Sequence, residues 1–134
     1  MRRLQVGILA ALMAMTIEGR AMASPVAAQD EVAPLTVFAI TYRPGPQWRP
    51  GAPMREQGLL DHFYYVKSLD DAGRVGVAGP LGEDGGLILL RAESQAEAEA
   101  VMQADPAVTA GLFVGEVRPF VPRFAGSPLQ AVAP

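Results

Sequence analysis

Residues 73–91, Gly-Arg-Val-Gly-Val-Ala-Gly-Pro-Leu-Gly-Glu-Asp-Gly-Gly-Leu-Ile-Leu-Leu-Arg, decide the fold. Arg74 to Ala78 reads as a short strand, and Gly79-Pro80 stops it. Leu81 to Gly86 is rich in glycine and is expected to turn the chain. Leu87 to Arg91 is an apolar run of strand length that returns beside the first, which makes a hairpin. A hairpin flanked on each side by helix-patterned sequence leaves few architectures open.

Upstream of the hairpin, Gly58 to Asp71 has helical periodicity. Leu59, His62, Phe63, Val66 and Leu69 form one stripe, with Asp61, Ser68 and Asp71 opposite. Gly73 supplies the left-handed residue that ends such a helix. Leu35 to Tyr42 is β-branched and aromatic, with apolar residues on both alternating faces, the pattern of a strand covered on two sides. Between them, Arg43 to Gln57 holds four prolines and two glycines and is expected to be a long irregular loop.

Downstream, Ser94-Gln-Ala-Glu97 is a capping box: the Ser hydroxyl accepts from the amide three residues on, and Glu97 reaches back. A helix is expected from Gln95 to Ala104. Asp105-Pro106 breaks it and opens a further turn, with Asp as cap and Pro at the first helical position, where a missing N–H costs nothing. Gly111 ends that turn, and Leu112 to Phe120 is the last strand. The order β-α-β-β-α-β is that of the ferredoxin-like α+β fold, a four-stranded antiparallel sheet with two helices on one face. Only one of the sets Leu35/Val37/Ala39 and Phe38/Ile40/Tyr42 can meet the helices. The other leaves an apolar sheet face larger than a soluble monomer tolerates, so a homodimer joined through that face is expected.

The chain's ends read differently. Arg2 and Arg3, the apolar run Leu4 to Ile17 and Ala21-Met22-Ala23 form a signal peptide over residues 1–23, with Ala28 as a second cleavage point. Glu18 and Arg20 leave an uncleaved anchor as the alternative. Residues 24–34 read as a disordered leader, 35–122 as the domain and 123–134 as a disordered tail. A periplasmic or secreted protein is expected, with no membrane partner after cleavage. Cleavage removes three arginines and one glutamate and moves the formal charge from −3 to −5. No basic stripe remains to meet nucleic acid. The chain has no cysteine, which excludes disulfides, thiolate zinc sites and cysteine nucleophiles. With one histidine and no HxH or HExxH spacing, neither a metal nor another cofactor is expected.

Three strings, Gly73-Arg-Val-Gly-Val-Ala-Gly-Pro80, Ala104-Asp-Pro-Ala-Val-Thr-Ala-Gly111 and Val117-Arg-Pro-Phe120, together with His62 in the first helix, resemble the YCII-related proteins. The resemblance covers Leu35 to Pro122. It implies a dimeric α+β barrel whose cleft holds a histidine and an aspartate, matched here by His62 and Asp105 and generally taken as a catalytic pair. A few such relatives are linked to elimination of halide from chlorinated hydroxyquinones. Export is a departure from the family's habit.

The residues alone permit that pairing and also admit plainer readings. His62 lies on the apolar stripe and points toward the sheet. Its reference pKa of about 6.5 suits an acid or base near neutrality if a carboxylate orients one nitrogen. The plainer reading is a core histidine satisfied by a carbonyl, and capping alone accounts for Asp105. Tyr42, Arg43, Trp48, Tyr64 and Tyr65 are candidates to line or lid a cleft for an aromatic ligand, with Arg43 as an anion anchor; ordinary core and interface roles are the alternative. Two functions follow. One is a small enzyme in which His62, oriented by Asp105, moves a proton in an elimination, isomerisation or hydrolysis of a small aromatic or carbonyl substrate. The other is a non-catalytic module whose dimer cleft holds a small molecule. They differ in whether His62 is open to a concave site or wholly buried.

Overall fold

The computed structural model describes residues 36–124. The expected signal peptide and leader, and the tail beyond Phe124, lie outside the described residues.

Alternation along β1 (Thr36–Pro44) sets the layers: Phe38, Ile40 and Tyr42 are buried, whereas Val37, Ala39 and Thr41 lie part-covered on the opposite face. β2 (Val75–Leu81), β3 (Gly85–Ala92) and β4 (Phe113–Phe120) complete a sheet in the order β2-β3-β1-β4, with every neighbouring pair antiparallel. The register sets Ile40 between Ile88 and Val117, so one inward row crosses the three adjacent strands β3, β1 and β4. α1 (Leu60–Asp71), α2 (Gln95–Gln103) and the single turn α3 (Pro106–Thr109) cover that row through Leu69, Ala98, Val101 and Ala107. Ile40 and Leu90 are fully buried, and burial of each such side chain contributes about 1.5–3 kcal/mol. This is the ferredoxin-like α+β fold expected from the element order.

Three local expectations change. Gly79 and Pro80 do not stop β2. They pair with Leu87 and Gly86, and the turn shrinks to Gly82-Glu83-Asp84. β2 is an edge strand, where a residue without an N–H donor is tolerated. On α1, Phe63 is not in the core stripe: it is 59% exposed, and Tyr65 packs inward instead. The segment from Gly45 to Gln57 is a pinned loop with a 3-10 turn at Met54–Glu56. Its amides at Gly45 and Gln47 donate to the carbonyls of Leu112 and Gly111 at 2.8 and 2.9 Å. A side chain at Gly45 would collide with the Gly111 carbonyl, so only glycine lets the two backbones pass this closely.

Candidate functional site

Asp105 is placed by the rule that ends one helix and starts the next. Its Oδ1 accepts from the Ala107 N–H at 2.9 Å and caps α3, with Pro106 as the first residue inside. The cap leaves the carboxylate fully buried, facing β1 and α1. Tyr42, on the inward face of β1, donates its hydroxyl to Oδ2 at 2.9 Å. His62, in the first turn of α1, brings Nδ1 to 2.9 Å from Oδ1 and 2.8 Å from Oδ2.

These bonds fix the protonation pattern. An ionised carboxylate has no proton to give and can only accept hydrogen bonds. Nδ1 therefore carries the hydrogen and donates it, which leaves the lone pair on Nε2. Burial, then the negative charge of Asp105 and the bond to it, hold the Tyr42 hydroxyl well above the ordinary tyrosine range, so it stays a donor. Tyr65, whose hydroxyl donates to the Val101 carbonyl at 2.7 Å, is raised by burial and then by the same charge.

The imidazole is held by aromatic edges as well. Its ring lies edge-on to Tyr42 and Phe113, with centroids 5.4 and 5.5 Å away, and Trp48 stacks on Phe113 at 5.4 Å. His62 is nonetheless 19% exposed. It opens onto a shallow depression of about 50 Å³ lined also by Gly58, Asp61, Pro106, Ala107, Ala110 and Leu112.

Of the residues singled out from sequence, His62, Asp105 and Tyr42 converge. Tyr42 spends its hydroxyl on the carboxylate rather than presenting it to a ligand, and it is buried. Trp48 reaches the cluster only through Phe113. Arg43 is not brought to it: next to Tyr42 on an alternating strand, it is exposed, on the other face, opposite Val114. Sequence reading passed over Asp61, Phe113 and Gln57. Asp61 is displaced by about 100° from His62 on the helix and reads as solvated face, yet this flank forms the rim of the depression. Gln57, only 3% exposed, accepts from Arg49 N–H at 2.9 Å and donates to the carbonyls of Arg49 and Ala52 at 2.8 and 2.9 Å, which closes the loop that carries Trp48.

The family model of the YCII-related domain matches residues 35–121. The chain belongs to the YCII-related family. No curated protein sequence matches it. Among solved structures, the YCII-related fold of this chain is similar to 5-chloro-2-hydroxyhydroquinone dehydrochlorinase from Burkholderia phenoliruptrix, determined in complex with 2,5-dihydroxybenzoquinone. The two are 25% identical, with a TM-score of 0.50 over 63% of this chain and 93% of that one.

Proposed function

We propose that this YCII-related protein is a small enzyme in which His62 Nε2 takes a proton from a small aromatic or carbonyl substrate. The observation that carries the reading is the pairing of a part-open imidazole with a fully buried, multiply bonded carboxylate on its other nitrogen. The carboxylate orients the ring, fixes the tautomer and stabilises the imidazolium that forms. A merely structural histidine needs no opening to solvent, whereas this one lines a concave surface. The chain has no cysteine and, among the described residues, no serine lies at the imidazole, so elimination or isomerisation fits better than acyl transfer. In an elimination, the electron pair left by the proton moves through the conjugated system and the leaving group departs with its own pair. The dehydrochlorinase activity of the similar structure favours this class.

The lining also speaks to charge. Among the described residues, Asp61 is the only carboxylate that lines the depression, and no Lys or Arg joins it. A neutral hydroxyl or carbonyl compound fits such a rim better than a carboxylate or phosphate ester. The depression is smaller than the roughly 300–1,000 Å³ of ordinary ligand pockets. It admits the reacting edge of a ring, with the remainder lying outside.

The test is to incubate the protein with chlorinated hydroxyquinols and follow chloride release. His62→Ala is expected to lower turnover by about 10²–10⁴-fold, the usual share of one general base. Turnover that survives this substitution undiminished would remove the imidazole from the mechanism. The assembly belongs to the same proposal: a homodimer joined through the open sheet face, where Val37, Ala39, Leu87 and Leu89 lie only part-covered.

A further inference from the structure

We infer that Tyr42 is a positioning residue: by bonding Asp105 it sets how strongly the carboxylate pulls on the His62 imidazole, and so tunes the base without touching substrate. Tyr42 is buried, and its hydroxyl has one partner, Asp105 Oδ2 at 2.9 Å. That oxygen is also the one nearer to His62 Nδ1, at 2.8 Å. The hydroxyl and the imidazole therefore compete for the electron density of the same atom. The opposite oxygen, Oδ1, is committed to the Ala107 amide at 2.9 Å.

A carboxylate bonded by fewer donors holds more negative charge at its oxygens and is a stronger base. Opposite an imidazole, that favours the imidazolium over the free base with its open Nε2 lone pair. A permanent hydroxyl donor on Oδ2 moderates the pull while leaving the orientation intact. The hydroxyl is suited to permanence, because burial and the neighbouring charge keep it protonated.

The other titratable groups around the imidazole are few. Asp61 flanks it on α1 at the rim of the depression. Tyr65, also on α1, feels the Asp105 charge but bonds to the Val101 carbonyl. Arg74 influences Tyr65 and is itself tied to Glu97. β4 contributes Phe113, which is uncharged. None of these bonds to the carboxylate, so among the described residues Tyr42 is the one side chain besides His62 that does.

His62 is the only histidine of the chain, so its imidazole signal is unique in a proton NMR titration of the full-length protein. Tyr42→Phe keeps the ring, and with it the edge-on contact to His62, but removes the hydroxyl. It is expected to move the midpoint of the imidazole titration to higher pH by about half a unit to one unit. Replacing the tyrosines with fluorinated tyrosine, whose hydroxyl is a stronger donor, is expected to move it to lower pH, and this keeps the test open if Tyr42→Phe folds poorly. In an Asp105→Asn background, Tyr42→Phe is expected to leave the midpoint where it is. An unmoved midpoint in both the Phe and the fluorinated proteins, or equal shifts with and without the Asp105 carboxylate, would overturn the inference. For its purpose the inference rests on the proton-transfer reading, but the two fail separately. A shifted titration without any chloride release counts against that reading alone, and chloride release with an unmoved titration counts against Tyr42 alone.

Discussion

At the residue scale the site is a buried charge made tolerable by bonds, and Tyr42 records its environment. A carboxylate removed from water costs several kcal/mol unless its lone pairs are met. Asp105 meets that need with an amide, a hydroxyl and an imidazole, and no buried side-chain nitrogen or oxygen among the described residues lacks a partner. The Tyr42 hydroxyl is raised above its ordinary value of 10.0 by burial, then by Asp105. Its stabilising contribution is therefore complete below the unfolded value and is lost as pH climbs above it, because the unfolded chain releases a proton that the folded one keeps. Tyr65, raised by the same causes in the same order, adds to this slope. Urea unfolding from pH 8 to pH 11 is expected to show stability falling above about pH 10, by up to about 1.4 kcal/mol per pH unit for Tyr42 and by less for the more exposed, solvent-screened Tyr65. Tyr42→Phe is expected to lessen the fall, and an identical slope in that variant would contradict the assignment. His62 and Asp105 were legible in the sequence because each carries a local signal, a helical stripe and an Asp-Pro cap. The error over Arg43 was legible as well: two consecutive residues of one strand point to opposite faces, so Tyr42 and Arg43 cannot both serve one site.

At the element scale, order and type followed from pattern, while fine placement depended on partners distant in sequence. The α1 stripe is centred near His62, with Val66 and Leu69 within about 40° of it. Phe63 lies about 100° away, so its hydrophobicity does not carry it inward. Tyr65 lies about 60° off on the other side and is drawn in by the Val101 carbonyl, which no local pattern announces. Gln57 is a similar case. In sequence it is a polar residue at the end of a proline-rich run; in the fold it satisfies three backbone groups at Arg49 and Ala52. Gln57→Ala strands those groups and is expected to cost about 1–3 kcal/mol in chemical denaturation. Local loosening is expected with it, read as faster amide exchange at Arg49 and altered Trp48 fluorescence. An unchanged exchange rate at Arg49 would show that the two anchors of Gly45 and Gln47 hold the loop unaided.

At the scale of the whole molecule, helices cover one face of the sheet and, among the described residues, nothing covers the other, which the proposed homodimer would bury. Along β1, β3 and β4 the uncovered row comprises Val37, Ala39 and Thr41, then Leu87 and Leu89, then Val114, with Phe120 40% exposed at one end. Arg43, Arg91, Glu116 and Arg118 lie at exposed positions on the same face, and Glu116 pairs with Arg118. An apolar strip with charges on its face suits an isologous contact, in which each copy supplies both halves. A second apolar surface competes for the role, because α1 turns Leu60, Phe63 and Tyr64 outward. The two are separable by substitution. Leu89→Glu places a charge at the centre of the sheet face and is expected to convert a dimer to monomers in sedimentation velocity. Leu89 is only part-buried in the single chain, so the monomer is expected to keep its fold. Phe63→Glu is expected to leave the dimer intact. The reverse pattern would move the interface to α1, and a native chain that sediments as a monomer at tens of micromolar would remove the sheet-to-sheet dimer from the proposal.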